Sequence, residues 1–256
     1  MIPSGRRSPL RTAVFFSIRE LSRRRIPLVG LVAAALIAWT ALFAGRLAFE
    51  KSGTVAYDFL LSGTFLYSSL LAILLGHFAA ADLTRPGFWY AFASGTPRSE
   101  LYAARYFAGL GLLLPLVWLP WLLVPVFFPA PPPEALLPPR FLSCLLFTLE
   151  GLSLFSLGFA LAVWFTPPVS LAFAFALWAA FHLHPDPLVF QIAYPGTIGR
   201  LLSLIDRLVP NFEIFNPLRY AGASARAALA PVAFTPLFSL FFFLFGLFRF
   251  ERRDLA

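Results

Sequence analysis

The 256-residue chain is 59% hydrophobic and only 12% charged, and its mean hydropathy is +0.79. That charged share is about half of what soluble domains carry, and the apolar content excludes a disordered chain. At 28.4 kDa the buried volume cannot hide this many Phe and Leu side chains, so much apolar surface must face lipid. The formal charge is +8, and all but one of the 20 basic residues are Arg. These arginines flank apolar runs, which reads as membrane topology and not as a nucleic-acid surface. One Cys and one Met leave no disulfide, no cysteine metal cluster and no thioether set for copper. The lone lysine, Lys51, has no G-x-x-x-x-G-K-[ST] around it, so the chain by itself is not a P-loop ATPase.

The chain begins with an arm, residues 1–26, dense in Arg up to Arg25. Within it Leu10, Val14, Ile18 and Leu21 recur at helical spacing, with Arg11 and Arg19 on another face. This predicts an amphipathic interfacial helix over 10–21. No small-residue cleavage site follows a short apolar core, so the arm does not read as a signal peptide.

A bilayer core of about 30 Å needs about 20 apolar residues per helix. Six segments qualify as spans: 27–45, 59–81, 106–128, 141–165, 168–184 and 231–248. Lipid leaves helices as the only way to satisfy the backbone, so the expected fold is an all-α, six-span membrane protein. Prolines within the third and sixth spans are expected to kink them. The spans make up a domain over 27–248, followed by a basic tail, 249–256. An even number of spans puts both termini on one side. Thirteen basic residues lie on that side and seven on the other, which predicts cytoplasmic termini.

The connections differ in character. Residues 129–139 (PAPPPEALLPP) form a stiff proline-rich link. The outer stretch 185–230 contains a predicted surface helix over 197–209, with Ile198, Leu202 and Ile205 on its apolar face, Thr197 as cap and Pro210 as stop. The cytoplasmic connection 82–105 mixes aromatics with charge. Thr96 and Pro97 are expected to start a helix that runs through Glu100 and Arg105 into the third span. Phe88, Trp89 and Phe92 read either as anchors for a soluble partner or as an interfacial aromatic belt.

Glu150 is the costliest residue, an acid inside the fourth span where a carboxylate costs roughly 3 kcal/mol. It reads equally as a substrate or proton site and as a packing hydrogen bond. His77 lies near the inner end of the second span. His182 and His184 lie near the outer end of the fifth, and the two groups are too far apart to share a metal. All three histidines read as ordinary polar positions. Ser153 and Ser156 have no evident base, and neither G-x-S-x-G nor H-E-x-x-H occurs, so no catalytic residue is assigned.

With these elements placed, the chain resembles the membrane subunits of ABC-2-type exporters. FFSIRELSRRR resembles their N-terminal elbow helix, Asp82 through Gly87 their coupling-loop acid and glycine, and Arg98, Glu100 and Arg105 their lead-in to the third span. LVPNFEIFNP (208–217) looks like the Pro-Asn-aromatic stretch of the NosY-like subgroup, linked to multicopper-enzyme maturation, and RFERRDL resembles the usual tail. The resemblance implies a permease in the cytoplasmic membrane, working as a pair with a second copy or a related permease. A separate ABC ATPase would hold ATP and Mg, and this chain would bind no cofactor itself. It implies ATPase docking through Asp82, Arg85, Gly87, Phe88, Trp89, Phe92, Arg98 and Glu100. It also implies a substrate path near Glu150 and His77, and an outer gate at Ile198, Leu202, Ile205, Asn211, Phe212 and Glu213.

Overall fold

The structure is a computed structural model that describes residues 9–48, 52–81, 83, 97–127, 140–182, 196–197, 210–220 and 229–252. Among these residues the chain is entirely helical. The helices are α1 (Pro9–Arg23), α2 (Ile26–Leu47), α3 (Ser52–Ala81), α4 (Arg98–Phe127), α5 (Arg140–Trp164), α6 (Pro167–His182) and α7 (Leu229–Glu251). Two 3₁₀ turns, Phe212–Phe215 and Pro217–Tyr220, precede α7.

Five helices, α2, α3, α4, α5 and α7, are long and apolar enough to cross a membrane, which makes this a multi-pass membrane protein. The remaining expected span, 168–184, is the 16-residue α6. At 1.5 Å per residue it is about 24 Å long, short of an apolar core of about 30 Å. Helices α3 and α4 begin well before the spans drawn from hydropathy, at Ser52 and Arg98. Their polar first turns, SGTVAYD and RSELYAAR, are helical without being lipid-soluble, and an apolar window cannot see such turns. Helix α4 starts directly after Pro97, as its sequence predicts, and continues without a break through Pro115 and Pro120.

The packing is that of a lipid-soaked bundle. On α2 the small residues Gly30, Ala34, Ala38, Ala41 and Gly45 face inward. Its large ones face out, with Trp39 69% exposed and Phe43 and Leu36 each 58%. Water would force the reverse arrangement. Between helices in lipid, close backbone approach is the main source of attraction, and small residues permit it. Helix α7 shows the same outward apolar face through Leu237, Leu240 and Phe241.

The centre of the bundle is α5, which packs against α3, α4, α6 and α7. Two glycines set its distance from α3. A Cβ on Gly158 would lie 2.7 Å from the carbonyl oxygen of Ile73, and one on Gly76 would overlap the carbonyl oxygen of Phe155. The two backbones therefore touch at both points.

Helix α1 lies against α4, and Leu21 and Ser17 are buried while Arg11 and Arg19 stay exposed. The inward face is the apolar stripe read from the sequence. Glu20 of α1 pairs with the buried Arg105 of α4 at 2.5 Å. A left-handed Arg25 (φ 31°) then turns the chain sharply into α2. Glu20→Ala should weaken the hold on α1 by about 1 kcal/mol, a fewfold rise in its released population. Trypsin cleavage at Arg19, Arg23 and Arg24 in lipid nanodiscs should accelerate accordingly.

Candidate functional site

Polar groups inside this bundle are few, so the place where they gather is informative. Glu150 on α5 is wholly buried. Its Oε1 lies 2.6 Å from Ser69 Oγ on α3 and 3.3 Å from His182 Nε2 at the end of α6. Three helices thus converge on one carboxyl oxygen. The short turn at Phe165–Thr166 between α5 and α6 explains the meeting. Glu150 lies 15 residues before Phe165, and His182 lies 15 residues after Pro167. Two antiparallel helices leaving one corner bring both residues to the same depth, about 22 Å from it.

The hydrogen bonds restrict where the protons lie. His182 Nδ1 is 2.8 Å from the carbonyl of Trp178, which can only accept, so Nδ1 carries a proton and Nε2 faces the acid. Ser69 Oγ is also 2.9 Å from the carbonyl of Phe65. Its single proton cannot serve Phe65 and Glu150 together. When it goes to Phe65, the carboxyl donates to Ser69. When the carboxyl is ionised, Ser69 is its donor, and a protonated His182 would be an ion-pair neighbour at 3.3 Å. His182 Nε2 makes no hydrogen bond among the described residues, so it stands beside Oε1 as a neighbour and not as an aligned donor or acceptor. The second oxygen, Oε2, makes no hydrogen bond among the described residues, although it is buried.

Beside this cluster is a cavity of about 290 Å³. Ser62, His182, Glu213 and Asn216 give it a polar wall, and Phe65, Phe147 and Phe212 an aromatic one. The first 3₁₀ turn builds one side of it. Asn211 Oδ1 accepts from Glu213 N at 2.8 Å and caps the turn, and Asn216 Nδ2 donates to Glu213 Oε2 at 3.1 Å. Phe212 is buried against the rings of Phe181, His182 and Phe238. Tyr220 donates to the carbonyl of Ile214 at 2.6 Å and ties the second turn to the first.

The residues singled out from sequence divide as follows. Glu150, Phe212 and Glu213 belong to this one region, and Asn211 holds its turn in shape. His77 does not join them. It is buried near the C-terminal end of α3, where its Nδ1 meets Ser170 Oγ at 2.9 Å and links α3 to α6. Arg98 and Glu100 stand in the first turn of α4, and Arg98 Nη1 donates to the carbonyl of Glu251 at 3.4 Å. Asp82, Arg85, Gly87, Phe88, Trp89 and Phe92 lie outside the described residues, as do Ile198, Leu202, Ile205 and His184. Ser156 bonds Tyr106 at 2.6 Å, and Ser153 bonds its own helix at Leu149. Sequence reasoning missed the roles of His182 and Ser69. Among the described residues no three His, Cys, Asp or Glu side chains converge as metal ligands. No protein-family model matches the chain, and no curated protein matches it.

Proposed function

We propose that this chain is the permease subunit of an ATP-binding-cassette exporter in the cytoplasmic membrane. It crosses six times, with α6 as a short fifth crossing, and keeps both termini in the cytoplasm. A separate ATPase holds ATP and Mg and grips the segment 82–97, and two permease copies, or this chain and a related one, enclose the path. The observation that carries this reading is the Glu20–Arg105 pair. It ties α1, in the role of an elbow helix, to the base of α4, the helix that continues out of the 82–97 segment. A push on that segment therefore reaches α1 and α4 together. Arg98 extends the linkage to the end of α7. The two-state element is the interface between the membrane halves, biased by closure of the ATPase dimer.

The test is co-purification with the ATPase encoded nearest to this chain. Trp89→Ala with Phe92→Ala should weaken ATPase binding by at least about tenfold, as loss of aromatic anchors does. Unchanged binding and unchanged stimulated hydrolysis would remove the docking assignment.

A second reading rests on Glu150 and His182, an acid and a base in contact within the bundle, as an intramembrane enzyme would have them. It requires activity from the purified chain alone. Turnover that appears only with the ATPase present rejects it.

A further inference from the structure

We propose that the cavity beside His182 binds a small organic cation: an ammonium group on a compact apolar or aromatic body. The inference concerns this chain alone and holds whether or not an ATPase works with it. Size comes first. About 290 Å³ is at the lower end of the range for ligand pockets, enough for one ring and a short chain.

Charge comes second. Among the described residues no Lys or Arg lines the cavity, whereas Glu213 does, and Glu150 lies one contact deeper behind His182. Glu213 and His182 line the same space. Glu213 on the wall, with no Lys or Arg beside it among the described residues, leaves a negative excess that a cation offsets. A phosphate or carboxylate guest would meet repulsion.

The third observation is the wall chemistry. Phe65, Phe147 and Phe212 line the same space, and aromatic faces attract ammonium groups most strongly where water is scarce. The fourth is the fixed position of the acid on the wall. Glu213, held by Asn211 and Asn216, is preset as the counter-ion and needs no rearrangement to serve. A metal ion is a poorer guest, since no ligand trio converges among the described residues.

The experiment uses the purified full chain in nanodiscs at neutral pH and three probes of nearly one shape: phenethylammonium, 2-phenylethanol and phenylacetate. The ammonium should bind at least about tenfold more tightly than the alcohol, and phenylacetate should not bind. Glu213→Gln, nearly isosteric and on a turn, should weaken the ammonium by about tenfold and leave the alcohol unchanged. Ser62→Phe, which fills the cavity, should abolish binding while elution volume and helicity stay as in the parent. The proposal fails if phenethylammonium does not bind, or if the alcohol binds as well as it does. It also fails if Glu213→Gln binds the ammonium like the parent, or if a folded Ser62→Phe keeps the affinity.

Discussion

His182→Leu should destabilise the bundle by about 1–3 kcal/mol, the usual cost of leaving a buried polar group without its neighbour. Glu150 would keep the Ser69 hydroxyl but lose the base beside it. The replacement also removes an imidazole wedged between the rings of Phe65 and Phe212, so some packing is lost with the charge. Adding Glu150→Leu should recover most of the loss, because a well-packed apolar pair costs little where an unpaired acid costs much. Glu150→Gln beside wild-type His182 should cost less than His182→Leu, since the amide can still bond Ser69. Unfolding by denaturing detergent across this cycle measures the coupling. If the double Leu variant is less stable than His182→Leu alone, the pair is not the reason the two residues face each other.

The sequence makes much of the scaffold readable and little of this site. Hydropathy draws six crossings, and five of them fall on helices long and apolar enough to span, because lipid imposes a length and an apolarity that few other settings require. The arm helix is readable from Leu10, Val14, Ile18 and Leu21, whose spacing puts them on one face. The same stripe turns toward α4 in the structure, with Leu21 fully buried. A stripe alone cannot tell a membrane interface from a neighbouring helix, since both are apolar partners.

His182 misleads for a different reason. Its depth along its own span, taken as crossing the whole bilayer, places it at the outer edge. Helix α6 is only 16 residues long, and Glu150 lies in the N-terminal half of α5. Counting outward from the Phe165–Thr166 corner puts both residues at one depth. That signal is present in the sequence, but it requires the hairpin to be recognised before the spans are measured. Ser69 leaves no such trace. A serine in an apolar helix is usually bonded to its own backbone, and Ser69 does that as well, through Phe65. Glu213 and Asn216 are visible as a polar break before the last span, but their place beside His182 depends on how the chain between α6 and α7 folds back. No local pattern encodes that return.

The other large effect is expected at the contact between α3 and α5. Gly76→Ala should cost at least about 1–3 kcal/mol, because the new methyl would meet backbone and not a side chain that can rotate away. Its Cβ would overlap the Phe155 carbonyl oxygen and come within 3.0 Å of the Phe159 amide nitrogen. Gly158→Ala presses on the same seam from the other side, with its Cβ 2.7 Å from Ile73 O. Either change requires the helices to separate, and one separation relieves both. The double variant should therefore cost clearly less than the sum of the singles. Gly151 on α5 is the control. Its nearest neighbours, Val117, Ala72 and Leu113, would stand 3.8–3.9 Å from an added methyl, which is ordinary contact. Gly151→Ala should be neutral or stabilise by up to about 1 kcal/mol through helix propensity. Separation of α3 from α5 would also draw Ser69 away from Glu150, so Gly76→Ala should weaken the buried cluster without touching it. Detergent unfolding gives the stabilities. If Gly76→Ala and Gly151→Ala behave alike, the two helices are not in backbone contact at Gly76, and the geometry that brings Ser69 to Glu150 needs another cause.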